Sequence, residues 1–321
     1  MGAILDSLQT PHDLRKLDPS QLPALCLELR ELISETTVQN GGHLATNLGA
    51  VEATVALHHS YDFSVDRLIF DVGHQCYAHK LLTGRKDQFK TLRTGGGLSG
   101  YPNPAESCYD PYVSGHASTA ISVAAGYAQA FSIQKLDRRV VAFVGDGSLT
   151  GGEAYEGLCY LGDTQRDVLV VLNDNRMAIS KCTGGLTRYL DSLRTSPEYN
   201  ELKRDIISRL KGFPVFADQL YRIAEGIHGN LYRMMIENGI FSALGYKYFG
   251  PYDGHDVVAL TRVLQQVARL KRPVLLHILT SKGKGNATAE CDPVTWHGVS
   301  PATKVPPQPG VSKVTYTDAF S

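Results

Sequence analysis

The stretch RVVAFVGDGSLTGGEAYEGLCYLGDTQRDVLVVLNDN, residues 139–175, decides the fold. Residues 139–146 read as a strand, 152–161 as a helix and 167–174 as a second strand. A right-handed βαβ unit brings both strand ends, Gly145-Asp146-Gly147 and Asn173-Asp174-Asn175, to one carboxyl edge of a parallel sheet. Doubly wound folds bind ligands at that edge. One carboxylate, one amide oxygen and a backbone carbonyl near Met177 offer three hard oxygen donors there, a set that magnesium completes with phosphate and water. Gly145 and Gly147 let a ligand approach the backbone, and the helix starting near Gly151 adds a positive dipole end. The site expects a metal-bound diphosphate.

Outward from this unit the same alternation continues. A helix built on Leu22, Leu25, Cys26, Leu29, Leu32 and Ile33 runs to Gly41-Gly42, and a second helical stretch follows Asn47. Residues 67–72 form a short buried strand leading into Gly73-His74-Gln75, 257–270 a helix and 273–280 a strand. The fold class is therefore α/β, a mostly parallel sheet with helices on both faces. Residues 1–300 form one domain, with an irregular helical insertion at about 181–245. The segment 301–321 begins with Pro301, Pro306, Pro307, Pro309 and Gly310 and reads as a linker.

Composition removes several classes. In 321 residues, 32 Lys+Arg cancel 32 Asp+Glu, so phosphate-backbone attraction is weak and nucleic acid is not an expected partner. Apolar runs such as 140–144 and 168–172 are strand-sized, far short of the roughly 20 residues a membrane helix needs. The start has no basic leader region, and Asp6 spoils a myristoylation pattern, so a cytoplasmic location is expected. Cys26, Cys76, Cys108, Cys159, Cys182 and Cys291 contain no C-x-x-C pair and are expected as reduced thiols.

Two glycine-rich stretches are decoys. Gly95, Gly97 and Gly100 satisfy G-x-G-x-x-G but lead to Pro102 rather than into a helix. Lys282-Gly283-Lys284-Gly285 lacks the spacing of a P-loop and reads as a solvated or phosphate-adjacent turn. Histidines are more informative. His43, His74, His116 and His297 each stand beside a glycine, where a ligand can come close to an imidazole. His58, His59, His228 and His277 read as structural, and His79 and His255 stay unassigned.

Together, Gly42-His43-Leu44-Ala45-Thr46-Asn47-Leu48-Gly49, Asp71-Val72-Gly73-His74-Gln75, Thr83-Gly84-Arg85, Ser114-Gly115-His116-Ala117-Ser118-Thr119, the paired strand ends and Asp292-Pro293-Val294-Thr295-Trp296-His297 closely resemble the 1-deoxy-D-xylulose-5-phosphate synthases. The resemblance runs from about Pro11 to Ser300. It implies a thiamine diphosphate-binding fold and a transferase that condenses pyruvate with D-glyceraldehyde 3-phosphate, losing carbon dioxide, in isoprenoid and thiamine-precursor synthesis. It implies Mg2+ held by Asp146, Asn175 and the Met177 carbonyl. His74, Gly115, His116, Ala117, Gly147, Ser148 and Asn175 would line the cofactor, and His43 and His297 would act on the substrate-derived adduct. Asn286 departs from the family pattern, which carries an aromatic residue there.

Chains of this family run about twice as far, through a pyrimidine-binding domain that carries the activating glutamate. The end of this chain, from Tyr316, looks like the start of that domain. The expectation is a half-site that needs a complementary half to turn over, and a homodimer. A transketolase-like N-terminal subunit and a non-catalytic thiamine diphosphate-binding module are the alternatives.

Overall fold

The valine-rich runs at 140–144 and 168–172 carry no charge, as strands covered on both faces require, and they lie at the centre of a five-stranded sheet. The computed structural model describes residues 3–195 and 239–301. In chain order the main elements are α1 (Leu22–Asn40), α2 (Leu44–Ser60), β1 (Arg67–Phe70), α3 (Ala120–Ile133), β2 (Val140–Gly145), α4 (Gly152–Thr164), β3 (Val168–Asp174), α5 (Gly185–Thr195), β4 (Lys247–Asp253), α6 (Val257–Val267) and β5 (Val274–Leu279). The strands lie in the order β1-β2-β3-β5-β4, and every neighbouring pair is parallel. Gly145 pairs with Asn173, so the two strand ends singled out in the sequence are neighbours at one edge.

Alternate side chains divide the core into two layers. Leu68, Phe70, Val141, Phe143, Leu169 and Val171 pack with α1, α2 and α6, whereas Ile69, Val140, Ala142, Val144, Val168 and Val170 pack with α3, α4 and α5. Helix α2 is buried at every position from Leu44 to His58, which explains its lack of a polar face.

The expected strands and helices are present with ends within four residues of those expected. The second helix begins at Leu44 rather than after Asn47, which places Asn47 inside it. Two of these main elements escaped the sequence reading. Helix α3, AISVAAGYAQAFSI, has small residues all round, no cap of its own and so no visible start. Strand β4 contains Gly250-Pro251, which reads as a break; it survives as an edge strand whose register shifts between Phe249 and Tyr252. Of the insertion at 181–245, α5 and a short helix Ile240–Ala243 belong to the described residues, while 196–238 and the linker 302–321 lie outside them. His228 lies outside them too. All six cysteines are free thiols, as expected, and among the described residues no helix is long and apolar enough to cross a membrane.

Candidate active site at the strand ends

Helix α1 stops at Gly41, and the chain turns through Gly42 into His43, the residue that opens α2. Gly42 and Val299 exchange backbone hydrogen bonds of 2.9 and 2.7 Å, which brings the turn Thr295–His297 onto the start of α2. Only glycine fits at position 42, since a Cβ would stand 2.6 Å from the Tyr77 hydroxyl. His43, His74 and His297 therefore meet, with ring centroids 5.2 to 5.5 Å apart.

Asn47 holds this arrangement together. Its amide nitrogen donates to the carbonyls of His43 (2.6 Å) and His74 (2.7 Å), and its oxygen accepts from the Tyr77 N–H (2.9 Å). A fully bonded, buried amide inside an apolar helix fixes both histidine loops from one point. Asp71, just past β1, does the same for the next loop. Its two carboxylate oxygens accept from the backbone N–H groups of Ser118 (2.9 Å) and Ala120 (3.0 Å), capping α3 from a distance. Ser118 Oγ in turn donates to the Ser148 carbonyl (2.8 Å), tying the loop 114–119 to the turn after β2. Gly115, His116 and Ala117 stand exposed on that loop. The His116 ring takes no part in the imidazole cluster.

Burial pushes His43 and His297 down to about 4 and His74 to about 3. Neighbouring groups act in the same direction: Arg93 for His43, the other two rings and Lys282 for His74, and Lys282 and His43 for His297. All three are neutral imidazoles near pH 7. The Nδ1 atoms of His43 and His74 are buried and have no hydrogen-bond partner. Such orphans carry a desolvation cost that a bound ligand removes.

On the neighbouring strand ends, Asp146 is buried, accepts from the Gly147 N–H (3.0 Å) and lies against Asp174. Burial and the Asp174 charge both push the Asp146 carboxyl up. Burial also works against Asp174, but His277 and Arg194 outweigh it and hold that carboxyl low. His277 Nε2 lies 2.8 Å from Asp174, and its Nδ1 lies 2.8 Å from the Tyr248 hydroxyl. The expectation of a structural His277 thus gains a specific content: it supports the carboxylate behind Asp146. Asn175 Oδ1 accepts from the Met177 N–H (3.1 Å), so the amide shapes the 175–182 loop. Among the described residues, no three His, Cys, Asp or Glu side chains form a metal-holding group. A cation here would depend on mixed oxygens, one carboxylate with amide and carbonyl.

Asn175, Met177, Arg194, Thr280, Lys282 and Lys284 line a cleft of about 460 Å³ beside these strand ends. Lys282 is 6% exposed, donates to the Ala178 carbonyl and lies 3.4 Å from His297 Nδ1. Burial lowers its ammonium to about 8, against the opposing pull of Asp146 and Cys182. The turn reading of 282–285 missed this buried charge; its signal was a lysine three residues past an apolar strand. Asn286 caps the short helix Ala287–Cys291 by accepting from the Ala289 N–H (3.1 Å). Its departure from the family pattern therefore has a local structural use.

Residues 5–280 match the family model for 1-deoxy-D-xylulose-5-phosphate synthase. The chain is 47% identical to the 1-deoxy-D-xylulose-5-phosphate synthase of Anaeromyxobacter dehalogenans, with 100% of this chain and 51% of that protein covered. It is 45% identical to that of Desulforudis audaxviator, over 99% of this chain and 50% of that protein. It spans about half the length of the curated relatives it matches. Among solved structures, transketolase from Campylobacter jejuni superposes with a TM-score of 0.63 at 18% identity, covering 88% of this chain and 41% of that one. Transketolase from Leishmania mexicana gives 0.58 at 17%, with 88% and 39% covered. The parallel sheet with helices on both faces is thus the transketolase-like fold. By sequence, this chain belongs to the 1-deoxy-D-xylulose-5-phosphate synthase family.

Proposed function

We propose that this chain supplies the magnesium- and diphosphate-binding half of a thiamine diphosphate-dependent transferase, which joins pyruvate to D-glyceraldehyde 3-phosphate with loss of carbon dioxide. Its product would feed isoprenoid and thiamine-precursor synthesis. The observation that carries the proposal is the pairing, on one sheet edge, of Asp146 and Asn175 with an imidazole cluster whose buried Nδ1 atoms lack partners. Those orphaned nitrogens, and a buried acid beside a second acid, fit a site completed by a cation and a polar cofactor.

In this reading Asp146, Asn175 and the Met177 carbonyl hold the magnesium. Gly147 and Ser148 lie beside the diphosphate, the loop of Gly115, His116 and Ala117 borders the cofactor, and His74 contacts it. Thiamine diphosphate, when bound, supplies the nucleophilic carbon and the electron sink that decarboxylation of a 2-oxo acid requires. The chain binds, orients and keeps water away. Neutral His43 and His297 can each donate or accept one hydrogen bond to a substrate oxygen and carry a proton at an imidazole nitrogen. Lys282 sets a positive charge beside His297.

The pyrimidine-binding half comes from a complementary polypeptide or domain, and exposed Tyr155, Tyr160 and Ile133 support self-association into a dimer. The test is carbon dioxide release from labelled pyruvate after a complementary half is added. Pyruvate-dependent release supports the proposal. Turnover only with a ketose phosphate donor would instead identify a transketolase, and cofactor binding without any turnover a non-catalytic module.

A further inference from the structure

Lys282 brings a buried cation to the site, and the groups that aim it stand outside the site. Segment 281–285 is held from three sides. Gly283 N–H donates to the Ala45 carbonyl (2.8 Å) in the first turn of α2. One turn on, Gly49 leaves the space that the Ser281 carbonyl fills, since a Cβ at 49 would lie 2.9 Å from that oxygen. Arg30 Nε, on α1, donates to the Lys284 carbonyl (3.0 Å). His255, in the connection from β4 to α6, takes the Ser281 N–H at Nε2 (2.8 Å).

Glu52 on α2 joins the last two groups. It pairs with Arg30 and lies 3.1 Å from His255 Nδ1. The Ser281 N–H can only donate, so Nε2 accepts, and the ring proton sits on Nδ1, where Glu52 receives it. Burial would raise the Glu52 carboxyl, but the hydrogen bonds from His255 and Arg30 keep it below its ordinary value. Replacing a buried ion pair by well-packed apolar groups often costs no stability, so the net stabilisation from such a pair is small. Here the hydrogen bonds of the group end on the backbone either side of Lys282.

We propose that Arg30, Glu52 and His255 are positioning residues that hold segment 281–285 so that the Lys282 ammonium faces the anion bound at the strand ends. This rests on the reading of that cleft as a metal-diphosphate site. The three residues touch neither metal nor substrate; they act through Lys282.

Two amide variants separate the two hydrogen bonds of His255. In His255→Gln the side-chain oxygen can stand where Nε2 stood and accept the Ser281 N–H. In His255→Asn the amide reaches only as far as Nδ1, so it can still bond to Glu52 but no longer accepts the Ser281 N–H. The measurements are calorimetric affinity for magnesium thiamine diphosphate, with a complementary half present, and the urea midpoint of the free chain. For His255→Asn the expected affinity loss is about fivefold, the worth of one hydrogen bond. His255→Gln should stay within about twofold of the parent, and the two variants should share one urea midpoint. Parental affinity in both variants, or affinity losses that follow the midpoints, would overturn the proposal. Asp146→Ala in the same series separates the two readings: if it leaves binding intact, the cofactor assignment fails, whatever His255 does.

Discussion

Two histidine clusters in this molecule treat their hydrogen-bonding capacity in opposite ways. Behind β1, His58 and His79 meet at 2.9 Å, His79 reaches Asp110 at 2.9 Å, and Arg85 grips Asp110 with bonds of 2.5 and 2.8 Å. Lys80, fully buried, donates to Glu106 at 2.5 Å. Nearly every polar atom there is matched by another from the chain, Arg85 Nε being the exception. At the strand ends, His43, His74 and His297 touch edge to face or tilted, and two of their buried nitrogens have no partner. The first network satisfies itself, as a scaffold does, whereas the second has the spare bonding capacity that the proposed cofactor would use.

The sharpest way to break this contrast is to unbalance the scaffold cluster. Asp110→Ala leaves Arg85 buried without its carboxylate and should cost about 3–5 kcal/mol in urea unfolding. A loss below about 1 kcal/mol would mean that the network is not structural. Next in size, Asp146→Ala should weaken magnesium-dependent cofactor binding by more than about a hundredfold while leaving the urea midpoint near the parent value.

The scaffold cluster also sets a pH dependence. Burial lowers the imidazoles of both His58 and His79, so the unfolded chain binds protons below about pH 6.5 that the folded chain refuses. Their contribution is whole above that pH and is lost as pH falls. Asp110 continues the trend at lower pH. Burial opposes it, but His79 and Arg85 hold its carboxyl low, so its contribution fades below the ordinary carboxylate value of about 4. Stability that rises on acidification across this range would contradict the sign. Smallest of all, His74→Phe removes an unsatisfied nitrogen, so the apo melting temperature should hold or rise slightly while cofactor affinity falls about tenfold.

How much of this could be read in advance depended on where the causes lie along the chain. The βαβ unit at 139–175 was legible because its strands are continuous apolar runs, and the polar residues proposed for the site end them. The clustering of His43, His74 and His297 was legible only as glycine neighbours and family resemblance, since the Gly42–Val299 pairing that joins them spans most of the chain. Helix α3 was hidden because its cap, Asp71, lies 49 residues away from Ala120. Asn47 and Lys282 were hidden because a polar residue in an apolar helix and a lysine in a glycine turn acquire a role only through non-local partners. Strand β4 was hidden by Gly250-Pro251, which only an edge position tolerates.

In the proposed function, neighbouring ends of β2 and β3 hold a divalent cation against a diphosphate. Calorimetric titration of thiamine diphosphate into the parent chain and into Asp146→Ala, each with the complementary half, with and without magnesium, tests it directly. The parent should bind saturably only with magnesium present, and Asp146→Ala should not bind in either condition. Equal affinities for the two chains, or parental binding indifferent to magnesium, would contradict it.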